Sequence, residues 1–151
     1  MSLENNEYWM RLALEQAAIA QQSGEVPVGA VIVKDGQLIA TGWNQPISTS
    51  DPSQHAEINC IRNACELLKN YRIPGCDLYV TLEPCAMCAG AIVHTRIQKL
   101  VFGAYEPRAG VAQSQQNFFE SGWLNHKAEV IGGVLEQECG QILKDFFKSR
   151  R

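Results

Sequence analysis

Long apolar runs are absent from this sequence. No segment approaches the roughly 18 consecutive apolar residues that a membrane-spanning helix needs. The N-terminal stretch MSLENNEYWM also lacks the basic residues followed by an apolar run that are typical of a secretory signal peptide. We therefore expect a cytoplasmic protein with no signal peptide and no membrane partner.

Internal repeats, low-complexity tracts and obvious linkers are lacking as well. A chain of 151 residues fits a single domain, which we expect to span residues 1–151. A domain of this size buries roughly two-thirds of the surface that its unfolded chain exposes, so it needs no disulfide or metal merely to fold.

An excess of charge of one sign is also lacking, because 13 Lys and Arg residues against 16 Asp and Glu residues give a formal net charge of only −3. This balance disfavours non-specific nucleic-acid binding, which depends on neutralising phosphates, but it allows a local basic patch. A candidate patch lies in the last eight residues and comprises Lys144, Lys148, Arg150 and Arg151. Composition alone favours a solvated helix end, where cations stabilise the C-terminal helix dipole, over a nucleic-acid contact.

The six cysteines are Cys60, Cys65, Cys76, Cys85, Cys88 and Cys139. An even number would suit a disulfide framework in a short secreted chain. Without a secretion signal, and with an adequate core, reduced thiols are the better prediction. Only Cys85 and Cys88 have the spacing of metal ligands, and we expect the other four to be small buried apolar side chains.

The pattern of apolar residues predicts helices that alternate with strands. Helices are predicted over 6–22, 56–70, 86–95 and 135–148, and strands over 26–33, 38–43, 77–82, 98–103 and 128–131. The dipeptide Asp35-Gly36 predicts a hairpin turn between the first two strands. Polar, turn-forming residues predict connections over 44–54 and 105–127. This order predicts an α/β fold with one mixed sheet that helices cover on both faces.

The segment Pro84-Cys85-Ala86-Met87-Cys88 is the first candidate for chemistry. If a helix begins at Pro84 or Cys85, both sulfurs lie on one face of it. The helix N-terminus lowers the pKa of a thiol, and the thiolate is the form that binds metal. Redox proteins share the Cys-x-x-Cys spacing. Pro84 and a distant His-x-Glu segment favour the metal interpretation here.

That second segment is His55-Ala56-Glu57. A lone histidine is usually a surface or hydrogen-bonded core residue, and we interpret His94 and His126 in that way. His55 differs because it ends a loop and begins a predicted helix. With Cys85 and Cys88 it would make three protein ligands, which together with water is typical of catalytic zinc.

Two residues near His55 decide whether such a site is structural or hydrolytic. Cys60 could be a fourth ligand, but five helical steps of about 100° turn it roughly 140° away from His55. Glu57 lies only two positions beyond His55, so the two side chains would diverge in a regular helix. They can meet at one site only if His55 lies at the helix boundary. We expect Glu57 to reach the metal-bound water as a proton carrier without binding the metal.

The segments HAE at 55–57 and PCAMC at 84–88 match the known signature of the zinc-dependent nucleobase deaminases. The match extends to EVPVGAVIV at 25–33, GWNQPI at 42–47, DPSQHAEI at 51–58, YVTLEPCAMCAGAI at 79–92, VFGA at 101–104 and DFFKSRR at 145–151. Over nearly its whole length the chain therefore resembles the bacterial tRNA-specific adenosine deaminases of the cytidine/deoxycytidylate deaminase superfamily.

The resemblance implies a three-layer cytidine-deaminase-like fold, with a mixed five-stranded sheet and helices on both faces. It also implies one Zn²⁺ per subunit and a homodimer that binds a tRNA anticodon stem-loop. The implied reaction is the hydrolytic deamination of adenosine to inosine at the wobble position, in an arginine tRNA. Zinc-activated hydroxide would attack the base, and Glu57 would shuttle the protons.

The same resemblance implies several substrate contacts. Asn44 corresponds to the residue that hydrogen-bonds the flipped base, and Val28 to part of the apolar wall around it. Glu106 aligns with an acidic position in a loop near the nucleotide, where aspartate is more usual, and its neighbours also depart from the family pattern. Phe146, Phe147 and the basic C-terminal residues correspond to a helix that contacts tRNA.

Other interpretations remain open from the sequence. A deaminase of free guanine, cytosine or nucleotides would have the same zinc site. A non-catalytic zinc-binding module would have no need of Glu57. Glu83 is either a carboxylate that supports the zinc ligands or a charge at a strand end bound to backbone.

Overall fold

The computed structural model describes residues 3–150. Met1, Ser2 and Arg151 lie outside the described residues; they form the two ends of the predicted 1–151 domain, and Arg151 is one member of the predicted basic patch. The helices are α1 (Leu3–Gln22), α2 (Pro46–Thr49), α3 (Ala56–Leu68), α4 (Ala86–Thr95) and α5 (Glu136–Ser149). The strands are β1 (Gly29–Lys34), β2 (Gln37–Trp43), β3 (Cys76–Leu82), β4 (Lys99–Ala104) and β5 (Glu129–Ile131).

The strands form one mixed sheet in the order β2-β1-β3-β4-β5. β1 is antiparallel to both β2 and β3, whereas β3, β4 and β5 run parallel to one another. Helix α4 connects the parallel strands β3 and β4, as the sequence predicts. The predicted α/β fold with a five-stranded mixed sheet is confirmed.

The hairpin between β1 and β2 turns at Asp35 and Gly36, which have φ values of 52° and 73°. Positive φ at both central residues suits the right-handed twist of a hairpin, and it is easiest for Asp, Asn and Gly. The Asp-Gly dipeptide therefore sets the pairing that places β2, and with it the 44–54 connection, at one edge of the sheet.

Helices cover both faces of the sheet because successive side chains of a buried strand point to opposite sides. On one face, Ala30 and Ile32 of β1 pack in the cluster that includes Cys60 and Ala64 of α3 and Ile92 of α4. On the other face lie the alternate residues of β1, Val31 and Val33. They pack with Met10 and Ala13 of α1 and with Cys139 of α5. The result is a three-layer arrangement.

Two differences from the sequence prediction lie in the connections. The 44–54 stretch contains the short helix α2, and the 105–127 stretch contains turns and a 3-10 helix at Phe118–Glu120. The first strand begins at Gly29, three residues later than predicted, because Val26–Val28 forms a turn that is closed by the Val28 N–H and the Val26 carbonyl at 2.9 Å. Among the described residues, none of the helices combines the length and the apolarity required to span a membrane.

Candidate active site

His55 stands at the start of α3, as its N-cap residue. Its backbone is extended, with φ −76° and ψ 156°, while Ala56 and Glu57 already belong to the helix. The predicted boundary position is therefore present, and it lets His55 and Glu57 reach the same region although they are only two residues apart. Glu57 occupies the first turn of α3 and is 4% exposed.

Cys85 has the matching position at the start of α4, where it is the N-cap residue with φ −81° and ψ 178°. Cys88 follows in the first turn of that helix and is fully buried. Pro84 ends the segment after β3 and precedes the N-cap. The two helix starts, one on α3 and one on α4, face each other on the same side of the sheet.

The His55 imidazole and the two thiols converge on one point. The Nδ1 atom of His55 lies 3.6 Å from the Sγ of Cys85 and 3.5 Å from the Sγ of Cys88. All three ligand atoms lie within 4.8 Å of one another. Two sulfurs and one imidazole nitrogen match the soft donor set that zinc prefers, and three protein ligands leave the fourth tetrahedral position open. The residues therefore fit zinc.

The thiols titrate as a coupled pair. A hydrogen bond from the Cys88 thiol lowers the pKa of Cys85 to about 3; burial opposes this shift, and His55 adds to it. The hydrogen bond to Cys85 and burial raise the pKa of Cys88 far above its ordinary value. The hydrogen bond with Cys85 raises the pKa of His55. One thiolate is thus already favoured within the chain, in the form that binds metal.

Cys60 does not join this group. It is fully buried against the sheet, and its Sγ lies 3.5 Å from the Ala40 carbonyl oxygen. The ligand cluster found among residues 3–150 contains His55, Cys85 and Cys88 without Cys60. The described cysteines are all free thiols.

Glu57 is placed beside the ligand group in an environment that favours its protonated form. Burial raises the pKa of Glu57 to about 7, and the nearby Cys85 thiolate acts in the same direction. A carboxyl group that titrates near neutral pH can both accept and donate a proton, as a general acid and base must.

A cavity of about 320 Å³ opens at this point. It is lined by Val26, Val28, Asn44, Pro46, His55, Glu57, Leu82, Glu83, Cys85, Glu106 and Ala109. The structure thus brings the sequence-predicted residues Val28, Asn44 and Glu106 to the same cavity as the ligand group. The volume is in the range of small-molecule pockets.

Phe146 lies elsewhere. It is 6% exposed, and the guanidinium carbon of Arg150 lies 4.4 Å from the centre of its ring. Phe147, its neighbour on α5, is 49% exposed. Phe146 is not among the residues that line the cavity. Its predicted contact with tRNA stays a prediction, and it would concern a part of the RNA that lies outside the cavity.

Two buried carboxylates support the cavity wall, and sequence reasoning did not assign that role to either of them. Glu25 is fully buried and accepts N–H hydrogen bonds from Ile47 at 3.0 Å and from Ser48 at 2.6 Å. Burial raises the pKa of Glu25, but these hydrogen bonds together lower it by more, so the pKa of Glu25 lies below its ordinary value. This contact fixes α2, which includes the cavity residue Pro46.

Glu83, the second of these carboxylates, itself lines the cavity and is 2% exposed. It accepts hydrogen bonds from the backbone N–H groups of Glu106, Gln113 and Ser114 and from the Ser114 hydroxyl group. The structure therefore favours the second of the two interpretations of Glu83, a strand-end charge bound to backbone. The cavity also contains residues that the sequence analysis did not predict. Pro46 could have been predicted from its place in the same connection as Asn44, whereas no sequence pattern indicated Ala109.

Comparison with known proteins agrees with this geometry. Residues 3–104 match the model of the cytidine and deoxycytidylate deaminase zinc-binding region. The tRNA-specific adenosine deaminase of Haemophilus influenzae is 51% identical over 149 residues, which cover 98% of this chain and 86% of that protein.

Solved structures give the same result. A structure from a study of A-to-I editing by tRNA:A34 deaminases superposes with a TM-score of 0.87 and 46% identity, covering 90% of this chain and 99% of that one. A guanine deaminase from Nitrosomonas europaea has a TM-score of 0.80 at 23% identity, covering 93% of this chain and 83% of that one, and this likeness shows a common fold alone. The chain therefore belongs to the zinc-binding cytidine and deoxycytidylate deaminase family and, within it, to the tRNA-specific adenosine deaminases.

Proposed function

We propose that this protein deaminates adenosine to inosine at the wobble position of a tRNA anticodon, with His55, Cys85 and Cys88 as the ligands of one Zn²⁺ per subunit. The observation that supports this most strongly is the cavity itself. His55, Cys85 and the buried Glu57 line one pocket. They do so in a chain that is similar over nearly its whole length to a tRNA-specific adenosine deaminase.

Glu57 is the catalytic residue in this proposal. When bound, zinc supplies a Lewis acid that makes water a nucleophile at neutral pH. Glu57 takes the proton that water loses as its oxygen bonds to C6 of adenine, and passes that proton to N1. It then takes the remaining proton from the new hydroxyl group at C6 and gives it to the amino group, and the C6–N bond breaks to release ammonia. One water is consumed, and inosine is the product.

The remaining lining residues bind and orient the base. Asn44 is 8% exposed, and its backbone N–H is fixed by the Val28 carbonyl at 3.1 Å, so its amide is held at the cavity. Val28 supplies apolar surface for the face of the purine. Glu106 lies at the cavity rim on the 105–127 connection and is available to contact the nucleotide.

The rest of the proposal concerns the macromolecular setting. We infer that residues 1–151 form one domain and that the protein acts in the cytoplasm as a homodimer on the anticodon stem-loop of an arginine tRNA. Helix α5 presents an exposed Phe147 and exposed basic side chains to this RNA. The buried Phe146 packs beneath one of these cations, because the guanidinium group of Arg150 lies over its ring.

The direct test is an assay of the zinc-loaded protein on a short anticodon stem-loop with adenosine at the wobble position. We expect inosine at that position, detected by chromatography of the digested RNA. The same stem-loop with the adenosine moved by one nucleotide should react far more slowly. Deamination of free guanine or cytosine without reaction on the stem-loop would refute the proposal and support the free-base alternative.

A further inference from the structure

Glu83 is a buried carboxylate whose hydrogen bonds all go to one loop. Its Oε1 accepts from the Glu106 N–H at 3.0 Å and from the Ser114 hydroxyl, and its Oε2 accepts from the Gln113 N–H at 2.7 Å and the Ser114 N–H at 2.8 Å. A carboxylate has about four lone-pair sites, so this one is fully used. The donors lie at both ends of the segment 106–114.

The charge of Glu83 is balanced by these donors. The ion pairs found within residues 3–150 do not include Glu83. Several N–H groups that converge on an anion form a site of the kind that binds phosphates, and here the anion belongs to the protein. An uncompensated buried charge is costly. If the loop moved away, the Glu83 carboxylate would lose all four hydrogen bonds at once, so its charge holds the loop in place.

The loop is closed around Glu83 by further contacts. The Val111 N–H donates to the Pro84 carbonyl at 3.0 Å, and the Gly110 N–H donates to the Glu106 carbonyl at 2.9 Å. A Cβ atom on Gly110 would collide with the Glu83 carboxyl group, so the backbone packs directly against it. The same loop includes Glu106 and Ala109, which line the cavity.

We propose that Glu83 is a positioning residue for substrate binding: it holds the 106–114 loop so that Glu106 and Ala109 form one wall of the base cavity. This rests on the proposed function only in naming a nucleobase as the occupant. The metal ligands and Glu57 lie on α3 and α4 and not on this loop. Loss of the Glu83 contacts should therefore weaken substrate binding more than it slows the reaction of bound substrate.

The test compares Glu83→Gln with Ser114→Ala in the zinc-loaded protein. An amide keeps the size of the side chain but directs an NH₂ group at N–H donors, so the loop should be released. Ser114→Ala removes one of the four hydrogen bonds and leaves the carboxylate in place. For Glu83→Gln we expect unchanged zinc content, a rise in KM of at least about tenfold, and kcat within about threefold of wild type. For Ser114→Ala we expect a smaller rise in KM.

Limited proteolysis reports on the loop without any substrate. Arg108 is exposed within the loop, so trypsin can cut after it when the loop opens. Cleavage there, followed by mass spectrometry, should be at least about fivefold faster in Glu83→Gln. The control Glu66→Gln changes an exposed carboxylate on α3 and should alter neither cleavage nor kinetics.

The outcomes separate the two proposals. If stem-loop RNA proves not to be a substrate, the proposed function fails, while the proteolysis result still decides whether Glu83 holds the 106–114 loop. Unchanged cleavage at Arg108 with unchanged KM in Glu83→Gln would overturn the positioning role. A fall in kcat and zinc content at constant KM would also overturn it, because that is the result of a general loss of structure. If Glu83→Gln does not fold, the cleavage rate and KM of Ser114→Ala decide the matter in the same way.

Discussion

At the scale of single residues, Glu57 is the side chain whose role can be separated most cleanly from metal binding. It is buried beside the ligand group but is not one of the three ligands. Glu57→Gln preserves the size of the side chain and removes its ability to accept a proton. We expect full zinc content and a fall in kcat of about 10²–10⁴-fold, the usual contribution of a general acid or base. Metal analysis and turnover on the stem-loop RNA measure both, and retained turnover would remove Glu57 from the mechanism.

The assignment of the metal ligands has its own test, because the chain offers one cysteine inside the ligand group, Cys85, and a buried cysteine outside it, Cys60. Cys85→Ala removes one of three ligands and should leave the purified protein with less than half of its zinc. Cys60→Ala removes a buried thiol that faces the Ala40 carbonyl, so it should keep its zinc and lose only modest stability. Zinc per subunit, measured on both variants after dialysis, decides the matter. A full metal complement in Cys85→Ala, or loss of zinc in a folded Cys60→Ala, would contradict the assignment.

The sequence predicted the metal ligands and Glu57 but did not predict every residue of the cavity, and the difference has a physical reason. Spacing alone placed Cys85 and Cys88 on one helical face, and the helix-boundary argument placed His55 and Glu57 together. Ala109 could not be found in this way. It lines the cavity because buried contacts to Glu83 fold its loop back across the pocket, and such long-range contacts leave no local pattern in the sequence.

At the scale of elements, the packing of α3 on β2 determines where His55 and Glu57 stand. A Cβ atom on Gly42 of β2 would lie 2.5 Å from the Cys60 nitrogen and 2.7 Å from the Ala56 carbonyl oxygen. These are backbone atoms, so they cannot rotate away. Gly42→Ala should push α3 off the sheet and destabilise the protein by about 1–3 kcal/mol or more, as overpacking does.

A control for Gly42→Ala lies in helix α5. A Cβ atom on Gly140 would meet nothing within 4 Å. Gly140→Ala should stabilise the protein by roughly 0.5–1 kcal/mol, because alanine loses less backbone entropy in a helix than glycine does. Urea unfolding of both variants measures these changes. Equal stabilities for Gly42→Ala and the wild type would show that α3 and β2 leave room for a side chain at Gly42.

The regular elements were predictable because each repeats a short-range pattern, whereas the connections were not. The 44–54 stretch was predicted as a loop from its Asn, Pro and Ser content, yet Pro46–Thr49 is helical. Its first N–H groups are satisfied by Glu25, a residue more than 20 positions earlier in the chain. A one-turn helix held by a distant carboxylate has no periodicity of its own from which to predict it.

At the scale of the whole molecule, the formal net charge of −3 gives no general attraction to RNA. The anticodon stem-loop that we propose as substrate must then bind through local positive charge at the surface that it meets. Within the described residues, Lys144 and Lys148 are exposed four positions apart on α5, so they lie on one face of the helix. These two exposed cations are the side chains that we propose meet the RNA phosphates.

This gives a prediction about salt dependence that a solvated helix end does not make. Lys148→Ala should weaken binding of the stem-loop to a similar extent whatever its sequence, and should reduce the slope of log affinity against log salt by roughly one. Fluorescence anisotropy of a labelled stem-loop across a salt series measures both. The control Arg62→Ala removes an exposed cation from α3, across the sheet from α5, and should leave the slope unchanged. If Lys148→Ala also leaves the slope unchanged, α5 does not contact the RNA phosphates, and its basic residues serve only as a solvated helix end.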